Sequence, residues 1–177
     1  MQKATVTMAE VPILSPPSEL ERLFQDHHAL VFRTAYRITG NASDAEDVLQ
    51  TVFLRLAGRD PLAPPLDHTE SYLRRAAINV ALDIVRTRGV GQSATEDGSL
   101  PDCGQRDRHE LRDCLRHALA RLAPRDAEVF ALRFLEGYSN PEIAQMLGMS
   151  QVLVAVTVHR TRRRLQKEIR AYWGGKL

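Results

Sequence analysis

Hydrophobic and polar positions along the chain fall into helical periods almost from the start. From Ser18, Leu20, Leu23, Phe24, His27, Leu30, Val31, Ala35 and Ile38 recur at three- and four-residue steps, which predicts a helix that Gly40-Asn41 ends. Ser43 and Glu46 have capping-box spacing and open a second helix, Asp44 to Leu56, with Val48, Leu49, Val52, Phe53 and Leu56 inward. Asp44, Asp47, Gln50 and Thr51 are then expected toward solvent. Gly58 to Glu70 carries Pro61, Pro64 and Pro65 and reads as a loop of restricted shape. Beyond it, Ser71 to Arg88 separates into two faces. Leu73, Ala77, Val80 and Ile84 line the buried one, and Arg75, Asn79, Asp83 and Arg86 line the opposite one.

Periodicity stops between Gly89 and Arg108, where Gly, Ser, Thr, Asp and Pro dominate and acids outnumber bases. That stretch is the expected linker. A further helix runs from His109 to Leu122 with Leu111, Cys114, Leu115, Ala118, Leu119 and Leu122 inward. Pro124 starts another, Arg125 to Glu136, that buries Val129, Phe130, Leu132 and Phe134, with Leu135 partly so, and Gly137 stops it. Gly137 to Leu165 then reads as two short helices around a sharp turn. Ser139 and Glu142 make a second capping box, Pro141 fits a first helical turn, and Gly148 sits where a left-handed exit is needed. Ser150 caps the next helix, whose Val154, Val158, Thr161 and Leu165 face inward. Small Ala144, turning Gly148 and joint-filling Val154 together mark a helix-turn-helix, and its second helix ends in the basic run His159 to Arg164. No strand pattern of any length occurs. The expected fold is all-α, with a flexible tail over 1–17, helical domains over 18–88 and 109–177, and a linker over 89–108.

Charge adds a direction to this picture. The chain carries +2 overall, but from Glu110 onward twelve bases stand against seven acids, which puts +5 there and −3 on the remainder. A basic end on a near-neutral body suits phosphate contact at one end. Two cysteines, Cys103 and Cys114, make no disulfide framework. With His109 and His117 they invite a zinc proposal, but their spacing straddles a loop and a helix and matches no common site, so no metal is expected. No cofactor motif and no catalytic motif is present: there is no phosphate-binding loop, nucleophile elbow or paired-histidine zinc signature. Neither a signal segment nor an apolar run of roughly 18 to 20 residues is found, so a cytoplasmic protein without membrane insertion is expected.

Two polar surfaces admit both structural and functional readings. The acids in the first turn of the second helix complement the helix dipole, which is sufficient reason for them. They would also make an acidic docking face for a protein. The stripe from Arg75 to Arg86 could be a solvated face of an amphipathic helix. It could equally be a nucleic-acid surface, since Arg suits phosphate and Asn offers donor and acceptor to a base edge. Asp83 fits the latter poorly and is expected to hold Arg86 one turn away.

The stretches DAEDVLQTVFLRL and SYLRRAAINVALDIVRTR, followed by LAPRDAEVFALRFLEGYSNPEIAQMLGMS, resemble an extracytoplasmic-function (ECF) sigma factor of bacterial RNA polymerase, group IV of the sigma-70 family. Their order and separation are more specific than either alone, and the resemblance covers about Leu20 to Ile169. It implies that Asp44, Glu46, Asp47, Gln50 and Phe53 dock on core polymerase, at the clamp coiled coil of the largest subunit. The flap and an anti-sigma factor are implied as further contacts. Tyr72, Arg75, Asn79, Arg86 and Arg88 would read and open the −10 element of promoter DNA, with Asn79 at the family's base-contacting asparagine. The proline-rich loop would hold a flipped-out base, the linker would thread toward the active-site and RNA-exit channels, and the helix-turn-helix would read the −35 element.

Three departures stand out. Tyr72 occupies a position where Trp is usual, Ile78 replaces a customary Arg, and the loop offers Leu62 and Leu66 but no aromatic residue. The recognition helix departs too. The family commonly carries Gly-Thr-Val-Lys-Ser-Arg-like residues over 152–157, and this chain has Val152-Leu153-Val154-Ala155-Val156-Thr157, so the outward Val152, Ala155 and Val156 make its DNA-facing half apolar. Most polar contact to DNA would come from Gln151, His159 and Arg160, with Ser150 and Arg163 also in the −35 set and discrimination leaning on thymine methyls and shape. The competing expectation is a helix-turn-helix regulator that binds an operator autonomously as a dimer.

Overall fold

The structure, a computed structural model, describes residues 18–60, 66, 68–88 and 103–174, without the side chains of 103–109 and 172–174. The tail expected over 1–17, most of the proline-rich loop and the linker up to 102 lie outside the described residues. Among those described there is no strand, and seven α-helices account for most of them.

Local chemistry sets the helix ends. Helix α1 (Glu19–Thr39) begins at a capping box, in which Ser18 Oγ accepts from the Glu21 N–H and the Glu21 carboxylate accepts from the Ser18 N–H. Gly40, at φ 64°, closes it in the left-handed conformation and donates its N–H to the Tyr36 carbonyl. Helix α2 (Ala42–Ala57) is capped by Asn41, whose Oδ1 accepts from the Asp44 N–H at 3.1 Å, and not by Ser43 as expected. The helix therefore starts earlier than the sequence suggested, and Asp44 lies in its first turn. Helix α3 (Thr69–Arg88) packs with α1 and α2 into a three-helix unit. Val31, Ala35 and Ile38 meet Val48, Val52 and Leu56 and then Leu73, Ala77, Ile78 and Ala81 in its core.

Four further helices form the second unit: α4 (Cys103–Ala120), α5 (Pro124–Phe130), α6 (Asn140–Leu147) and α7 (Gln151–Gly174). Helix α4 begins at Cys103, ahead of the expected start at His109. Leu111, expected inward, is exposed, whereas Cys114, Ala118, Leu119 and Leu122 are buried as expected. Helix α5 does not continue to Glu136 as a regular α-helix. It passes into a π-helical turn, Ala131–Leu135, in which the Glu136 N–H reaches five residues back to the Ala131 carbonyl at 3.0 Å. The wider turn rotates the following side chains. Leu132 stays buried, but Phe134, also expected inward, is exposed and rests against Phe130 with ring centroids 4.7 Å apart. Ser139 and Glu142 then make the expected capping box of α6, where hydrogen bonds from Ser139 hold the Glu142 carboxyl below its ordinary pKa. Gly148, at φ 61°, provides the left-handed exit, and Ser150 Oγ accepts from the Leu153 N–H to open α7.

The two units touch. Helix α3 packs on α4 and α5, α1 meets the π turn, and buried apolar residues of both units belong to one core. Truncating a fully buried side chain of that core, as in Leu73→Ala, should cost about 2–5 kcal/mol in urea unfolding. Leu54→Ala, at an exposed position of α2, should stay within about 0.5 kcal/mol, and equal effects would contradict the packing described.

Candidate nucleic-acid interface

Helix α3 presents Arg75 and Asn79 one turn apart on the face away from Leu73 and Ala77, as the period requires. That face is turned toward the second unit. Glu128 Oε1, from α5, accepts from Arg75 Nε at 3.1 Å and from Asn79 Nδ2 at 3.3 Å. Arg75 Nη1 donates to the Met146 carbonyl at 2.8 Å, and Arg125 donates to the Leu147 carbonyl at 2.5 Å, so both guanidiniums cap the C-terminus of α6. Glu128 is only 4% exposed and gains a third partner in Arg125. The polar stripe is neither a free solvated face nor an open groove: its first half is plugged by a carboxylate.

A second carboxylate lies nearby. Glu136, directly after the π turn, accepts from Arg37 at 2.9 Å and from Arg74 at 2.6 Å, and its side chain is 1% exposed. Burial works to lower the Arg74 pKa, but hydrogen bonds to Glu70 and Glu136 outweigh it and hold the guanidinium above its ordinary value. Arg74 also lies 5.8 Å from the Tyr138 ring centroid. In the reverse direction, Arg116 of α4 donates to the Thr39 carbonyl at the C-terminus of α1 at 2.7 Å.

Toward the end of α3, Arg86 pairs with Asp83 at 3.0 Å, as its spacing suggested. Arg88 reaches α2, where it pairs with Asp44 and, at 3.4 Å, with Asp47. Asp44, expected toward solvent, is buried, because it precedes Val48 and Val52 by four and eight residues on the inward face of α2, where Arg88 pairs with it. Glu46, Asp47 and Gln50 remain on the exposed face of α2. Phe53 is buried edge-on against Phe24, at 4.9 Å between centroids, and so supports that face from beneath. Tyr72 is exposed at the start of α3, whereas Ile78 is fully buried, so this chain uses the position of the customary arginine for its core.

On α7, Val154, Thr157, Thr161 and Leu165 are buried. Gln151, Val152, Ala155, Val156, His159, Arg160 and Arg163 all lie on exposed positions, and Ser150 caps the helix. Val152 is 73% and Val156 54% exposed, and Leu153, not singled out from sequence, adds to the same apolar surface. Arg160 pairs with Asp126 of α5 at 2.7 Å. Farther along, Arg163, Arg164, Gln166, Lys167 and Arg170 line a basic groove.

Sequence reasoning missed Glu128, Glu136, Asp126 and Arg74. Glu128 did leave a signal, as a charged residue between Ala127 and Val129 on the inward side of its helix, where an acid needs a partner. Of the Cys/His group, Cys114 is a buried residue of α4, and the side chains of Cys103 and His109 lie outside the described residues.

Comparison with known proteins agrees with this architecture. The sigma-70 region 2 family profile matches residues 23–90, and the sigma-70 region 4 profile matches residues 112–165. An RNA polymerase sigma-E factor of Streptomyces avermitilis is 34% identical over 154 residues, covering 85% of each chain. The ECF RNA polymerase sigma factor SigL of Mycobacterium tuberculosis is 31% identical over 151 residues, covering 79% of this chain and 82% of that protein. Among solved structures, CnrH in complex with the cytosolic domain of CnrY shares the fold, with a TM-score of 0.52 at 23% identity over 86% of this chain and 88% of the other. Two helical units in this order, matched over most of their length, place the chain in the sigma-70 family, among the ECF RNA polymerase sigma factors.

Proposed function

We propose that the exposed acidic face of α2 docks on core RNA polymerase, that Arg75 and Asn79 of α3 contact the −10 element, and that α7 reads the −35 element. The observation that carries this reading is the pairing of Arg75 and Asn79 on one carboxylate oxygen. A guanidinium and an amide one turn apart already form a two-donor site for an oxygen acceptor, the chemistry that phosphates and base edges present. The clamp coiled coil of the largest subunit and the flap are the proposed polymerase contacts, and an anti-sigma factor is a further proposed partner in the cytoplasm. In this reading 18–88 and 109–177 are the working units, with 89–108 crossing between them. The protein makes and breaks no bonds. It uses binding energy to distort DNA, because unstacking a base costs a few kcal/mol that a receiving surface offsets.

Arg86 and Arg88 would add phosphate contacts once released from Asp83, Asp44 and Asp47, and strong salt dependence is the signature of such contacts. Arg88 would also link the two functions of the first unit, since the acids it holds belong to the proposed polymerase face. On α7, the exposed Val152, Ala155 and Val156 favour discrimination through thymine methyls.

Asn79→Ala should impair promoter opening while leaving polymerase binding intact. Run-off transcription paired with a polymerase pull-down reads both, and unchanged transcription would refute the assignment. Replacing the −35 thymines by uracil should weaken binding of the polymerase complex by roughly 1 kcal/mol per contacted methyl, about fivefold in affinity. Unchanged affinity would show that α7 does not read methyl groups.

A further inference from the structure

We propose that the cleft between α1 and α4 is a binding site for a small amphiphilic anion, a molecule with one carboxylate or phosphate head on an apolar body. The proposal is independent of the polymerase and DNA contacts assigned above. The cleft has a volume of about 290 Å³, near the lower end of the range that small-molecule sites span. Its walls carry guanidiniums from two helices. Arg37 comes from α1, and Arg112 and Arg116 stand one turn apart on α4. Leu115 and Leu135 add apolar wall. Tyr36 adds an exposed ring, stacked on Phe32 with 6.1 Å between centroids.

The positive charge of this cleft is not fully matched. Arg37 must share Glu136 with Arg74, and Asp113 is taken by Arg116. Among the described residues no carboxylate pairs with Arg112. Two buried guanidiniums show the difference. Arg74 is buried too, yet hydrogen bonds to Glu70 and Glu136 hold it above its ordinary pKa. Arg116 is pushed below its ordinary pKa by burial, against the pull of Asp44, and the neighbouring charge of Arg112 adds to the depression. An anion in the cleft would relieve that repulsion. The helix-end oxygens beside it are already engaged, since the Gly40 N–H donates to the Tyr36 carbonyl and Arg116 donates to that of Thr39.

The composition of the walls selects the ligand. Arg163, Arg164, Lys167 and Arg170 line the α7 groove with Gln166 and no apolar side chain, which suits an extended polyanion. In the α1–α4 cleft an inorganic ion would leave Leu115 and Leu135 wet, and a neutral ring would leave the guanidiniums unpaired. A carboxylate or phosphate accepts from two guanidiniums at once, while an attached ring or short chain removes the leucine surface from water.

The test titrates the full chain, at fixed ionic strength, with phenyl phosphate and benzoate, which carry the two heads on one ring. Inorganic phosphate and phenol, which carry one part each, are the comparison, and amide chemical shifts read both affinity and place. At least one ring-bearing anion should saturate with a Kd on the order of 1 mM. It should bind at least about tenfold tighter than inorganic phosphate or phenol and move the signals of Gly40, Leu115 and Leu135. A preference for one head identifies the head group of the ligand. Arg112→Ala, at an exposed position, should keep the chain folded by circular dichroism and weaken binding about tenfold. Arg112→Lys should recover part of that loss, and Arg163→Ala should change nothing. Absence of saturable binding by both ring-bearing anions, or equal affinity for inorganic phosphate, would overturn the site. So would binding lost in Arg163→Ala and kept in Arg112→Ala, because the anion would then lie on α7.

Discussion

A buried carboxylate must find partners, and the arrangement of this protein follows from where Glu128 finds them. An ionised acid taken out of water without compensation costs several kcal/mol, enough to cancel much of the stability of a small domain. Glu128 meets that constraint with Arg75 and Asn79 of α3 and Arg125 of its own helix. Both guanidiniums continue to the carbonyls of Met146 and Leu147, so the same cluster completes the end of α6. One carboxylate therefore couples the face of α3 to the first helix of the helix-turn-helix. The π turn that follows α5 brings Glu136 to the same seam, where Arg37 and Arg74 receive it.

Helix α3 is used on both sides as a result. Leu73, Ala77, Ile78 and Ala81 hold the three-helix unit together, and the opposite side carries the groups that meet Glu128. Burial of Ile78 follows from the same economy, because an arginine there would put a charge into the core. Helix α7 divides in a comparable way. Val154 and Leu165 anchor it, Val152, Leu153 and Val156 project from its first turns, and basic residues follow.

Much of this was legible in the sequence, and the reason is locality. Ser18, Ser139, Gly40 and Gly148 marked helix ends correctly because a cap depends on a few neighbouring residues. The apolar faces of α1, α2, α3 and α7 followed from the 3.6-residue period. Where two local signals competed the reading failed, and Asn41 caps α2 in place of Ser43. Asp44 was misplaced for another reason: its steps of four and eight residues to Val48 and Val52 put it on the inward face. Phe134 was misplaced because a π turn breaks the period on which its inward placement relied. The pairing of Arg75 with Glu128 spans 53 residues and the one between Arg74 and Glu136 spans 62. No spacing rule reports a contact of that kind, so the residues proposed to contact DNA could be named from sequence while their pairing with acids could not.

The face of α3 that packs on the second unit is also the proposed promoter contact, so the two units must part in the polymerase complex. A distance between them reports that change. With Cys103 and Cys114 replaced by alanine, spin labels at the exposed positions 33 and 145 would report the separation of α1 from α6 by pulsed electron resonance. The account predicts a single short distance in the free chain and a shift to longer distances when core polymerase is added. An unchanged distance distribution in the polymerase complex would contradict it.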